Sequence, residues 1–102
     1  MRRAAQIVLF AILTLAAGCG VHRNALSAAQ ERGRAVYVRE CAACHGETGV
    51  GGPIGPQLKS RHDSLARIES FVRDPEPPMP KLYPARLSDA DVRDVSRYVE
   101  SL

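Results

Sequence analysis

The sequence predicts an all-helical fold with three main helices, and three observations carry that prediction. Two capping boxes, Ser27-x-x-Gln30 and Ser88-x-x-Asp91, each stand directly before a stretch whose apolar residues recur at helical spacing. Between them, Leu65, Ile68, Phe71 and Val72 repeat that spacing over a shorter stretch. No apolar and polar alternation of strand length occurs in the chain, and there is no internal repeat.

The first segment is read as an address rather than as part of the fold. Met1-Arg2-Arg3 is a basic start, and Ile7 to Ala17 is an eleven-residue stretch, apolar apart from Thr14, that is too short to span a bilayer as a helix. Together they predict an export signal over residues 1–18 that is removed. Its end, Leu15-Ala16-Ala17-Gly18-Cys19, resembles a bacterial lipobox, with Ala16 where Leu is usual. That resemblance implies lipidation of Cys19, which becomes the mature N-terminus, and the neutral Gly20 after it implies an outer membrane if the cell has one. Ordinary cleavage after a small residue, leaving a soluble protein, is the alternative. Residues 19–26 then form a lipid anchor and tether, and residues 27–102 a single domain.

Removing 18 of 102 residues leaves 84, a length at which one hydrophobic core is marginal unaided. Removal also takes two of the fourteen basic residues, leaving twelve against eleven acidic ones, so the mature chain is close to neutral. The pI of 9.0 therefore gives no support to nucleic-acid binding.

The first helix opens at Ser27 and carries Gly33, Val36, Tyr37 and Glu40 at helical spacing. Gly33 costs about 1 kcal/mol relative to Ala in a helix, which close approach by another helix would offset. The last helix is the expected partner. Leu87 and Val92 have hydrophobic-staple spacing, Val92, Val95, Tyr98, Val99 and Leu102 share one face, and Gly33 would let Tyr98 in. The middle helix is expected to be capped by Asp63 and ended by Pro75.

Cys41-Ala42-Ala43-Cys44-His45 is the sequence's chemical signature, because Cys-x-x-Cys-His is the attachment pattern for c-type haem. The two thiols add to the haem vinyl groups as thioethers, and the adjacent His45 becomes an axial ligand to iron. A zinc site would need four ligands, and the other histidines, His22 and His62, are isolated. A thioredoxin-like redox pair would follow a strand and open a helix, whereas this pair ends a helical pattern. With Cys19 assigned to lipid, the three cysteines leave neither an orphan thiol nor a disulfide.

These features resemble a class I c-type cytochrome of the short bacterial monohaem type across residues 27–102. The resemblance rests on Gly33 and Tyr37, Cys-Ala-Ala-Cys-His-Gly at 41–46, Gly55-Pro56-Gln57-Leu58, Met79-Pro80 and the Tyr98 helix. It implies the class I cytochrome c fold, three main helices wrapped around one covalently bound haem c, with the first and last helices crossed. It further implies that the carbonyl of Pro56 accepts a hydrogen bond from His45, fixing the imidazole and strengthening it as a donor to iron.

Met79 is the expected sixth ligand. It is the only methionine left once Met1 is removed, and in Pro77-Pro78-Met79-Pro80 three prolines restrict the backbone around it. His62 is the rival ligand, and His22 sits in the tether with no apolar pattern around it. With His45 and Met79 both ligating, the iron has no open coordination position, and the thioether raises the reduction potential relative to two imidazoles.

The expected function is one-electron transfer, not catalysis of bond chemistry. No paired catalytic carboxylates or nucleophile and base stand out, and Gly49-Val50-Gly51-Gly52 precedes no helix that would make it a phosphate loop. The alternatives are a fixed haem subunit of a larger respiratory or dehydrogenase complex, or a haem peroxidase, which would need a labile sixth site. Expected partners are a redox protein donor and acceptor, membrane-associated, on the periplasmic or outer side. Lys59 and Arg61 follow Pro56, and Lys81 and Arg86 follow Met79, either as ordinary solvated residues or as a basic rim that steers an acidic partner.

Overall fold

The computed structural model describes residues 25–102, and every regular element among them is a helix. The export signal, Cys19 and all but the end of the tether lie outside the described residues. In chain order the helices are α1 (Ala28–Glu40), the single turn α2 (Ala42–His45), α3 (Leu65–Arg73) and α4 (Asp89–Glu100). None of them is long and apolar enough to cross a membrane.

Each main helix starts where a side chain satisfies amide groups that the helix itself leaves unpaired. At α1, Ser27 Oγ accepts from the Gln30 amide at 3.1 Å while Gln30 Oε1 accepts from the Ser27 amide at 2.7 Å. At α4, Ser88 and Asp91 make the same reciprocal pair at 3.1 and 3.0 Å. The α3 cap differs from expectation: Ser64, not Asp63, accepts from the Arg67 amide, at 3.2 Å. A hydroxyl one residue further on reaches the first turn, which frees the Asp63 carboxylate to bind Arg61 at 3.0 Å and Arg67 at 3.2 Å. α3 stops at Arg73 because Asp74 precedes Pro75 and takes a non-helical conformation, ψ 75°.

The core lies where α1 packs on α4. Val36 and Tyr37 from α1 meet Val92, Val95 and Tyr98 from α4, closed by Leu82 and Leu87 from the preceding segment. Leu87 and Val92, the staple pair, are both buried. Leu26, just before the Ser27 cap, packs partly buried against this core.

Gly33 makes the close approach possible, though its nearest neighbour is not the expected one. A Cβ there would overlap the backbone carbonyl of Asp94 and stand 3.0 Å from the Tyr98 Cβ. The glycine thus admits α4's backbone first and the Tyr98 side chain second. The Tyr37 and Tyr98 rings then meet with centroids 5.3 Å apart at 60°, a tilted arrangement that suits their quadrupoles.

Tyr37 also carries the core's order into the next segment. Its hydroxyl donates to the Gly46 carbonyl at 2.6 Å, fixing the residue that follows His45. Burial, reinforced by the neighbouring Cys41 and Tyr98, pushes the phenol up to about 12, so the hydroxyl stays a donor at every physiological pH.

Candidate haem site

α2 follows α1 after one residue, and this places the Cys pair and His45 against a cavity of about 360 Å³. Cys41, Cys44, His45, Pro56, His62 and Met79 all border it. Apolar walls come from Ile68, Phe71 and Val72 of α3 and from Val95 and Val99 of α4. The volume falls within the range of pockets that enclose small molecules and cofactors.

The imidazole of His45 is held from behind. Its Nδ1 lies 2.9 Å from the carbonyl oxygen of Pro56, and since that oxygen can only accept, Nδ1 carries the proton and donates. Nε2 is therefore the nitrogen left with a lone pair for a metal. The loop that supplies Pro56 is fastened to the same turn, because the Gly55 amide donates to the Cys44 carbonyl at 2.8 Å and the Gly51 amide to the His45 carbonyl at 2.9 Å. Gly55 has to be glycine: a Cβ there would stand 2.7 Å from His45 Nδ1 and 2.8 Å from the Cys44 oxygen.

Burial and then the charge of Glu40 push the Cys41 thiol up to about 11, so it is a protonated thiol at neutral pH. Among the described residues no three His, Cys, Asp or Glu side chains converge as a metal site, so the Cys pair lacks the companions a tetrahedral zinc would require. A cavity with two thiols, an oriented imidazole, a thioether and apolar walls does fit a haem. α3 supports that fit, since it has an apolar face yet no buried residue, and Phe71 is 43 % exposed.

Met79 is presented by a turn in which its amide donates to the Glu76 carbonyl at 3.1 Å. His62 reaches the cavity border from the other loop, with a left-handed backbone, φ 58°, and an exposed side chain. Three of the four cations bracketing the site are engaged in ion pairs: Arg61 with Asp63, Lys81 with Asp74 and Arg86 with Glu40. Of that set only Lys59 has no ion pair among the described residues, and each of the other three stands beside a carboxylate that offsets part of its charge.

Sequence reasoning passed over Glu40, whose side chain is 6 % exposed on the cavity wall, and Leu82 and Ile54, which also border it. Helical spacing flagged Glu40 only as a position. Leu82 and Ile54 lie in irregular segments, where no periodicity marks an inward face.

A small helical domain with this donor set on one apolar cavity defines a haem-carrying electron-transfer protein. Residues 28–99 match the family described as cytochrome c oxidase, cbb3-type, subunit III. The chain is 33 % identical over 81 residues to a cytochrome c-553-like protein of Synechocystis sp., covering 76 % of this chain and 73 % of that one. With cytochrome c6 of Cyanidium caldarium it shares 30 % identity over 104 aligned positions, covering 94 % and 92 % of the two chains. The solved structure of the KustC0563 c-type cytochrome superposes with a TM-score of 0.59 at 21 % identity, covering 67 % of this chain and 93 % of that one, a likeness of fold. The chain belongs to the cytochrome c family represented by that cbb3-type model and is a class I c-type cytochrome. It carries covalently bound haem c with its iron and is an electron-transfer protein, not an enzyme.

Proposed function

We propose that this cytochrome is a mobile one-electron carrier that attaches a single haem c through Cys41 and Cys44 and ligates its iron with His45 and Met79. The observation that carries the reading is that all four side chains border one apolar cavity. When bound, haem c supplies an iron that changes by one electron between ferric and ferrous. The Pro56 carbonyl accepts a hydrogen bond from His45 Nδ1, which orients the ring and enriches Nε2 as a donor. Met79, on a loop stiffened by prolines, would supply the second protein ligand to the iron and favour the ferrous state. The apolar residues of α3 and α4 keep water from the site, so the electron moves with little solvent rearrangement.

The proposal extends to the whole chain: residues 1–18 as a removed export signal, Cys19 lipidated, 19–26 as anchor and tether, and 27–102 as the domain. From Cys19 to Ser27 is eight residues, a reach of at most about 28 Å, so the carrier would meet membrane-associated donors and acceptors on the periplasmic or outer face. Acidified-solvent extraction of denatured protein tests the attachment. The pigment should stay with the polypeptide, and its release into the organic phase would refute the thioether assignment. Cys19→Ser should convert a detergent-requiring protein into a soluble or uncleaved one, and wild-type protein already free in the soluble fraction would count against lipidation.

A second reading, a fixed haem subunit of a respiratory complex, is favoured by the oxidase-subunit description of the matching family. Purification in mild detergent separates the two: a carrier emerges alone, a subunit with stoichiometric companions.

A further inference from the structure

Glu40 is a carboxylate in an unusual place. It is the last residue of α1, directly before Cys41, and it borders the haem cavity with its side chain only 6 % exposed. Its Oε1 accepts from Arg39 Nε at 3.1 Å, and its Oε2 pairs with Arg86 Nη2 at 2.9 Å. The two guanidinium side chains are far more open, 53 % and 63 % exposed.

That asymmetry decides the electrostatics. Water screens the two cations, whereas the anion acts across a poorly solvated wall, where a charge is felt more strongly. At the neighbouring Cys41 thiol, burial and then Glu40 push upward while Arg39 opposes them. Arg61, Asp63, Arg67, Glu76 and Glu100 also border the cavity, but Asp63 is bound to both of those arginines. Glu76 and Glu100 are exposed residues on the solvent side. Of the acids on the wall, Glu40 is the one with a side chain this deeply withdrawn from solvent.

We propose that Glu40 sets the redox balance of this cytochrome, its buried carboxylate favouring the ferric state, with Arg86 as the counter-charge that limits the effect. Reduction adds one electron, delivered by the donor protein, to the iron and takes one positive charge from the site. A fixed anion on the wall makes that step less favourable, and a fixed cation makes it more so. Glu40 is thus a positioning residue for charge and touches no transferred atom. Arg86 lies in the segment after Met79, so the pair also joins the end of α1 to the loop that presents the sixth-ligand candidate.

The inference rests on the haem standing in this cavity, and the test separates the two. Spectroelectrochemical titration is run on haem-loaded wild type, Glu40→Gln and Arg86→Gln, each first checked for pigment retained through acid extraction. Glu40→Gln, which can still accept a hydrogen bond from a guanidinium, should raise the ferrous-to-ferric ratio at a fixed potential by roughly tenfold, about 59 mV for a one-electron couple. Arg86→Gln, at an exposed residue, should move the ratio the opposite way. Loosened packing alone would shift both variants in one direction. Covalent haem with both potentials unmoved, or moved in the same direction, would overturn the role of Glu40 and leave the cavity assignment intact. Should Glu40→Gln fail to fold, a potential in Arg86→Gln that does not fall overturns the proposal by itself. Absence of covalent haem in the wild type would overturn the cavity assignment and this proposal together.

Discussion

The α1–α4 pair and the α3 side of the molecule are built on different terms. α1 and α4 bury each other: Val36, Tyr37, Val92, Val95 and Tyr98 need nothing from outside the chain to leave water. α3 is as clearly amphipathic yet buries no residue, and its Ile68, Phe71 and Val72 border the haem cavity instead. Val72 packs partly buried against that core, and polar contacts add to the joint. Arg73 binds Asp89 at the start of α4 at 2.6 Å, Tyr83 donates to the same carboxylate at 3.0 Å, and Arg73 stacks 4.6 Å over the Tyr83 ring. An exposed ion pair of this kind contributes about 0–1 kcal/mol. Covering each large apolar side chain on α3 would contribute about 1.5–3 kcal/mol. One half is therefore a protein core in its own right, and the other would become one under the proposed haem.

The strongest way to break this comparison is to remove the attachment. Cys41→Ala with Cys44→Ala should strip hydrogen-exchange protection from α3 and the loops around it, with the slowest remaining amides in the middle of α1 and α4. Equal loss across all three main helices would show that the α1–α4 pair is no more self-sufficient than the rest.

Gly33→Ala attacks the other half. A Cβ overlapping the Asp94 carbonyl forces α1 and α4 apart, and we expect a loss of about 3 kcal/mol from overpacking, more than the roughly 1 kcal/mol gained from Ala in a helix. Urea denaturation with an unchanged midpoint would contradict the close approach.

Met79→Ala should leave the α1–α4 core in place while removing the ferric sulfur-to-iron absorption band, admitting carbon monoxide to the reduced iron and lowering the potential. An unchanged spectrum would move the ligand role to His62.

The smallest effect is expected at the joint between the halves. Tyr37→Phe removes the bond to the Gly46 carbonyl and should destabilise by about 1–2 kcal/mol. Because the folded phenol is raised to about 12 from 10, its contribution is fully present below pH 10 and is lost as pH rises from 10 to 12. That alkaline loss should disappear in Tyr37→Phe, measured by urea denaturation across the same range.

Several features were legible because they are local. A capping box joins residues three apart, so Ser27 with Gln30 and Ser88 with Asp91 could be read directly and form as expected. The α3 cap was misplaced by one residue because Asp63 and Ser64 are both good N-cap acceptors, and only the surroundings showed that two arginines claim the carboxylate. The partners of the flanking cations were hidden for a similar reason. Counting charges along the chain finds Arg61, Lys81 and Arg86 but not the acids that lie against them.

The sequence by itself determined the helical class, the starts of α1 and α4 and, through family resemblance, the covalent haem. Each depends on side chains within a few positions of one another or on covalent reactivity, and needs no knowledge of what packs where. Tertiary structure alone decided that Asp94 fills the space above Gly33, that α3 turns its apolar face to a cavity, and that Glu40 is withdrawn from water between Arg39 and Arg86. Burial is a property of what covers a residue, and ion pairs between distant segments follow no spacing rule. A glutamate at the end of a helix therefore reads as solvated until the chain has folded over it.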